Sequence, residues 1–373
     1  MGALVFVSTG PDRLAEAASD QAALDMLRAL PAGDLKRTIL CLVDCAIDAA
    51  FFASSYPDVR LVQINTSVDQ DRLSKGRQHP PARAYSTTPH HWRSAVIFRA
   101  LASLGDETAI DYVEFPDRGG LAFCTLQERN LRNLLPGAMI AVRLCDSHTQ
   151  SMLAQAQVVD IERLNLSDLE RKCLRDCDRI VASLLPVAEA TRRSFDFSVK
   201  EWDPRVVEHA HPLRFGISTA VESAVPASVG QALVFPSTLR RVNRPDLFVR
   251  AVAGFLSTTP AYIGDIVLGN AEVDQDYVSD IERLIPSVHA ARFKRMPAVP
   301  DAQREALFQD ATVVIASSWD AFCTVAYEAS LLGARLILNE TNPSFGPGTP
   351  WQDGVNCLKF DGSVRGLVDA LSR

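Results

Sequence analysis

The sequence predicts an α/β protein made of two doubly wound domains in tandem. Three observations predict it. Apolar runs of strand length alternate with helical patterns along the chain, the alternation is interrupted once and then restarts, and 373 residues is about twice the size of one ordinary domain. Hydrophobic residues at 47% and charged residues at 22% are normal globular proportions, so either half can bury a sizeable core.

In the first half, Leu4–Val7, Thr38–Val43, Val59–Ile64, Tyr112–Phe115, Met139–Leu144 and Arg179–Ala182 read as strands. Near-continuous apolar runs of this length suit parallel strands covered by helices on both faces. Leu14–Leu30, Trp92–Leu104 and Ser167–Cys177 read as the intervening helices. The polar, proline-bearing stretch Arg72–Thr88 reads as a loop that could close over a ligand or simply lie on the surface.

From Pro212 to Gln231 the chain is rich in Ala, Ser, Pro and Gly and lacks periodicity, which marks a linker at 214–231 between domains at 1–213 and 232–373. The pattern then resumes. Strands are expected at Ala232–Phe235, Ile266–Leu268, Val288–Phe293, Thr312–Ala316, Arg335–Leu338 and Cys357–Phe360. Helices are expected at Arg244–Leu256, Asp274–Ile285, Asp301–Phe308 and Ala326–Leu332. Two such domains are expected to face across a cleft at the carboxyl ends of their sheets, where open α/β sheets bind ligands.

Charge and composition narrow the partners. The net charge of -7, without a basic block, argues against nucleic acid. No apolar run reaches the roughly 18 residues that span a bilayer, and Met1–Val7 reads as a first strand instead of a leader. The eight cysteines show no C-x-x-C pair and no histidine at zinc-ligand spacing. They read as small buried hydrophobes in a reducing cytoplasm, with no metal.

The chemistry concentrates at Ser317-Ser318-Trp319-Asp320-Ala321-Phe322-Cys323-Thr324-Val325-Ala326-Tyr327-Glu328. A strand ends, a short loop carries Asp320, and a helix starts near Thr324. Backbone amides from Ala321 to Val325 then converge with no intrahelical partner, and the helix dipole adds positive potential suited to a diphosphate. Asp320 and Glu328 can both face that spot. A plainer reading makes Asp320 a helix cap and Glu328 a solvated helix residue.

This stretch resembles the acidic-x7-Glu signature of retaining GT-B glycosyltransferases of the family 4 type, with Asp for the usual first Glu and with Ala321 and Cys323 for two glycines. The resemblance implies that Glu328 accepts from donor ribose hydroxyls and Asp320 contacts the transferred sugar. The amides of Phe322, Cys323, Thr324 and Val325 would hold sugar and phosphate oxygens. Val234–Phe248 is similar to the family's first donor-domain strand and loop. Thr238 and Asn243 stand at the positions of its arginine and lysine, so Arg240, Arg241 or Arg244 would supply the charge from a shifted position.

Glu114-Phe115-Pro116-Asp117-Arg118-Gly119-Gly120, followed by Arg143-Leu144-Cys145, resembles a bacterial subset of the family. Gly119 and Gly120 would let backbone approach a ligand closely, and His148 is the imidazole nearest the position of the usual histidine, now Cys145. Leu174–Ser183 and Pro350–Asn356 resemble a helix-to-strand junction and a late turn of the family, and Lys294 or Arg295 would border the nucleotide base.

The implied activity is sugar transfer from a nucleotide-diphosphate sugar to an acceptor hydroxyl with retention of configuration, in bacterial polysaccharide or glycoconjugate assembly. No cofactor or divalent metal is implied. Three Asp-x-Asp triplets (Asp69–Asp71, Asp176–Asp178 and Asp274–Asp276) do not directly end an apolar strand. The implied partners are the donor and a carbohydrate or lipid-linked acceptor, with peripheral membrane contact an option. Family members usually continue through another helix or two, so the resemblance also implies a shortened chain or one segment of a larger protein. Two alternatives stay open: a catalytically degenerate binding or scaffold domain, and a different nucleotide-sugar enzyme on the same architecture.

Overall fold

The computed structural model describes residues 1–9, 26–27, 30–45, 47, 49–67, 88–133, 135–209, 231–270, 274–296, 307–309 and 311–373. The chain divides into two units, Met1–Pro212 and Leu213–Arg373. The expected linker at 214–230, the helix Leu14–Leu30 apart from Met26, Leu27 and Leu30, most of the loop Arg72–Thr88, and Asp301–Ala306 lie outside the described residues.

The first unit is a seven-stranded parallel sheet in the order β3-β2-β1-β4-β5-β6-β7. Its strands are β1 (Ala3–Thr9), β2 (Thr38–Val43), β3 (Arg60–Ile64), β4 (Ile110–Pro116), β5 (Met139–Arg143), β6 (Arg179–Ala182) and β7 (Val206–Glu208). Every residue of β2 is buried, as are six of the seven in β1, because helices cover both faces. The principal helices are α1 (Pro89–Glu107), α2 (Phe123–Arg132), α3 (His148–Ala154), α4 (Ile161–Asp176) and α5 (Leu185–Ser194). α4 begins six residues before the expected helix because the Asp160 carboxylate accepts from the Arg163 amide and caps it there.

The second unit is a six-stranded parallel sheet, order β10-β9-β8-β11-β12-β13. Its strands are β8 (Leu233–Phe235), β9 (Ile266–Leu268), β10 (Phe293–Arg295), β11 (Thr312–Ile315), β12 (Arg335–Asn339) and β13 (Leu358–Phe360). Its helices include α6 (Pro245–Thr258), α7 (Gln275–Arg283), α8 (Thr324–Leu331) and α9 (Val364–Ser372). The buried rings of Phe235 and Phe248 pack 5.2 Å apart and join β8 to α6.

One strand differs from the expectation. Ser287–Arg292 forms a 3-10 helix after Pro286, and β10 starts only at Phe293. Val288 is 80% exposed, so the apolar Val-His-Ala-Ala stretch has no core to enter. The short strand β7 was not anticipated, since Val206–Glu208 offers too short a pattern to read.

In each sheet the chain winds outward one way from its first strand and then the other way. The switch points fall between β1 and β4, and between β8 and β11. Crossovers leave in opposite directions there, which opens a crevice at the carboxyl ends of the strands.

No described helix is long and apolar enough to cross a membrane. The cysteines are free thiols. Burial pushes Cys41 and Cys177 up to about 12 and Cys124 up to about 11.

Candidate functional site

At the second switch point, β8 leads into Pro236–Arg240 and a 3-10 turn at Arg241–Asn243, while β11 leads into Ala316–Cys323 and then α8. The two segments are joined directly. The Ser318 amide donates to the Val242 carbonyl at 2.8 Å, and the Ser318 hydroxyl donates to it at 3.1 Å. The two motifs singled out in the sequence, 76 residues apart, therefore meet at one edge.

A buried polar network beyond β12 holds the β11 loop from beneath. Asn339 Nδ2 donates to the carbonyls of Ala316 and Ser317, at 3.3 and 3.2 Å. Asn342 Nδ2 donates to the carbonyl and the hydroxyl of Ser317, and Asn342 Oδ1 accepts from the Ser344 amide. The Ser344 hydroxyl donates to the Asp320 carbonyl at 2.5 Å. All three residues are at most 2% exposed. The sequence reading missed them, although a polar Asn-Glu-Thr-Asn-Pro-Ser run straight after an apolar strand was a usable signal.

α8 starts at Thr324 with Cys323 as its N-cap, and no side chain caps it. The Thr324 amide is spent on the Phe322 carbonyl at 3.0 Å, and Ala326 donates to Cys323. The amides of Cys323 and Val325 have no hydrogen-bond partner among the described residues. Ala321 and Cys323 are buried, whereas Asp320, Phe322, Thr324, Val325 and Glu328 are half-buried. Burial pushes the Cys323 thiol well above its ordinary range. The Asp320 carboxylate adds to this through its charge and a hydrogen bond, and Glu328 adds to it through its charge. Both acids are thus within electrostatic reach of one sulfur at the helix start. Phe322 stacks on Tyr327 at 4.7 Å, and Tyr327 meets Trp351 at 4.8 Å, which fixes the aromatic side of the loop. The Pro350–Asn356 turn closes on itself: Asn356 donates to the Pro350 carbonyl and accepts from the Gln352 amide.

The arginines divide by environment. Arg244 has a left-handed φ of 59° at the start of α6 and pairs with Asp246 at 3.1 and 3.2 Å. Arg241 lies 4.3 Å above the Tyr277 ring. The half-buried Arg240 guanidinium has no partner among the described residues. Thr238 and Asn243 bond to each other, with Asn243 Nδ2 2.9 and 3.0 Å from the Thr238 carbonyl and hydroxyl. Lys294 is not brought to this edge. It pairs at 2.5 Å with Asp265, the residue before β9, which draws its ammonium toward the amino ends of the strands. Arg295 pairs with Glu282.

In the first unit, Gly119, Gly120 and His148 lie past the carboxyl ends of β4 and β5. Gly119 and Gly120 both take positive φ, 79° and 63°. A Cβ on Gly120 would stand 2.6 Å from Leu169 Cβ, so the close approach there is by helix α4. The buried Glu170 carboxylate of α4 accepts from the amides of Gly119, His148 and Thr149 at 2.8, 2.9 and 2.9 Å and from the Thr149 hydroxyl at 2.5 Å. Asp117 is buried and takes the amides of Cys145 and Asp146 on one oxygen, at 3.0 and 3.2 Å. Burial, reinforced by the charge of Glu170, pushes Asp117 up to about 7 against the pull of those amides. Arg143 and Glu114 form a buried pair at 2.7 Å, which the Tyr112 hydroxyl joins. The roles of Glu170 and Asp117 as partners of the loops were not anticipated.

Two of the Asp-x-Asp triplets lie among the described residues. Asp178 accepts from the Ile140 amide and from Arg129, and Asp274 caps α7.

Neither a protein-family profile nor a curated protein sequence matches the chain. Solved structures do match. The N-terminal domain of trehalose-6-phosphate phosphatase from Candida albicans is 13% identical at a TM-score of 0.66, over 100% of this chain and 88% of that one. Sucrose-phosphate synthase from Thermosynechococcus elongatus is 13% identical at 0.65, over 100% and 89%. The catalytic domain of starch synthase IV from Arabidopsis thaliana, solved with ADP and acarbose, is 13% identical at 0.62, over 100% and 91%. The fold is GT-B. Within a GT-B chain the two sheets just described are its two Rossmann-like domains, and the β8–β11 switch point lies in the second of them.

Proposed function

We propose that the chain is a glycosyltransferase that moves a sugar from a nucleoside diphosphate to an acceptor hydroxyl, with retention at the anomeric carbon. One observation carries this reading: the Ser318–Val242 bond brings the Arg240 loop and the Asp320–Glu328 helix start to the same edge of the second sheet. That edge offers what a departing diphosphate needs, namely a guanidinium and helix N-terminal amides that have no partner among the described residues. The known ligand chemistry of a structural neighbour, ADP on starch synthase IV, is consistent with it.

In the proposed reaction the bond from the anomeric carbon to the diphosphate oxygen breaks, and a bond from the acceptor oxygen forms on the same face. The acceptor's proton leaves with the released diphosphate or to solvent. Asp320 contacts the sugar, Glu328 accepts from the ribose hydroxyls, and Arg240 with the Cys323 and Val325 amides holds the diphosphate. Arg241 and Arg244 are not assigned that role, since Arg241 lies over the Tyr277 ring and Arg244 pairs with Asp246. No divalent metal is assigned. The carboxyl edge of the first unit, with Gly119 and His148, is the acceptor side, and the acceptor is a carbohydrate or a lipid-linked sugar.

Thermal-shift titration with UDP, GDP, ADP and CMP, and then with their sugars, tests the reading. One nucleotide diphosphate is expected to raise the melting temperature in the wild type but not in Asp320→Ala/Glu328→Ala. Equal responses of both proteins would refute the site. Binding without transfer or donor hydrolysis would leave the degenerate binding domain as the better account.

A further inference from the structure

We infer that Glu170 is a positioning residue for the acceptor side: it locks the Gly119 turn and the start of α3 into one rigid ledge at the carboxyl edge of the first sheet. The inference rests on the glycosyltransferase reading above. Its basis is local. Glu170 is fully buried on α4, and its two oxygens collect four donors from two loops about 30 residues apart. Oε1 bridges the Gly119 and His148 amides, so a single atom ties the β4 loop to the β5 loop. Oε2 takes both donors of Thr149.

The arrangement also decides what α3 does. Ser147 accepts from the Gln150 amide, and Glu170 takes the two amides before it. The first-turn donors of α3 are consumed by the protein, so this helix start is closed to an anion. Ser147, Thr149, Gln150 and Ser151 are buried, so of this helix start only the half-buried His148 side chain is offered, in place of bare amides. That suits a neutral hydroxyl-bearing acceptor and leaves the diphosphate to the second unit. Gly120 completes the clamp, because only a hydrogen fits between it and Leu169. Four hydrogen bonds gathered on one buried side chain hold geometry tightly, and small misplacements of reacting groups cost rate steeply.

The experiment is steady-state kinetics with the nucleotide sugar found in the titration above and the best of a panel of simple glycosides as acceptor. Glu170→Gln and the milder Thr149→Ala, which removes only one hydroxyl donor, are compared with wild type. Glu170→Gln is expected to raise the acceptor KM about tenfold with the donor KM within about twofold. Thr149→Ala is expected to shift the same constant less, and Glu170→Asp to recover part of the loss. Should Glu170→Gln fail to fold, Thr149→Ala and Glu170→Asp decide alone. A purely structural role would lower the melting temperature and the amount of active enzyme, leaving both KM values alone. If the wild type transfers sugar and the acceptor KM of the variants is unchanged, this inference alone is overturned. A wild type that neither binds a nucleotide diphosphate nor transfers sugar overturns the glycosyltransferase reading and this inference with it.

Discussion

Asn243 Nδ2 bonds twice to Thr238, to its carbonyl and to its hydroxyl, across the turn where the resemblance places an arginine and a lysine. The two positions bond to each other. In the proposed reading the positive charge for a diphosphate comes from a neighbour instead, and Arg240 is the arginine of this loop whose guanidinium has no partner among the described residues.

Arg240→Ala should therefore abolish most of the nucleotide-diphosphate thermal shift while leaving the ligand-free melting temperature within about 1 °C, since surface changes of this kind seldom move stability. Arg244→Ala should do the reverse, costing the Asp246 pair but retaining the nucleotide response. Melting curves with and without nucleotide separate them. Equal losses in both variants would move the diphosphate off Arg240.

Asp117 makes a pH prediction. Its folded value is raised, to about 7 from 3.8, so the fold holds a proton that the unfolded chain has released. Its contribution is full below the unfolded value and is lost as pH rises through the folded one. The window is therefore about pH 4 to 7, and the loss is on the order of a few kcal/mol. Asp117→Asn keeps both amide bonds, because one oxygen receives them. Chemical denaturation between pH 5 and 8 should show the variant gaining on wild type as pH rises. Parallel curves would remove Asp117 as the source.

Asn342→Ala removes a fully buried amide that serves Ser317 and Ser344. A loss of about 2–3 kcal/mol is expected, with buried partners left unsatisfied. Since that network carries the loop of Asp320, nucleotide affinity should also fall. Stability lost with affinity intact would show that the loop keeps its shape without Asn342.

Gly120→Ala combines a positive φ with a Cβ 2.6 Å from Leu169. About 2 kcal/mol or more of destabilisation is expected. Gly137→Ala, with a similar φ of 84° but open space around it, should cost less. Urea midpoints compare the two.

Much of this was legible in the sequence, because apolar runs of strand length report burial directly: β2 coincides with Thr38–Val43, and β6 with Arg179–Ala182. The segment at Val288 misled, because apolar content alone does not tell a strand from a short turn that no helix covers. Lys294 was placed near the base by its position after a strand, but an ion pair with Asp265 draws it the other way. Glu170 could not be read at all. It lies in the middle of a helix pattern where an acid looks solvated, and only the packing of α4 under two loops turns it inward. The arginines were legible as a group, yet their separation depends on rings and carboxylates brought close by folding.

The buried thiols have a practical consequence. Alkylation needs the thiolate, and Cys41 and Cys177 ionise only near 12 in the intact fold. Those sulfurs are silent until the surrounding structure opens. Cys41 sits on β2 of the first unit and Cys323 at the start of α8 in the second, so the rate at which a reagent tags each one is a clock for the breathing of its own half. The chain carries a stopwatch in each half without any engineered label.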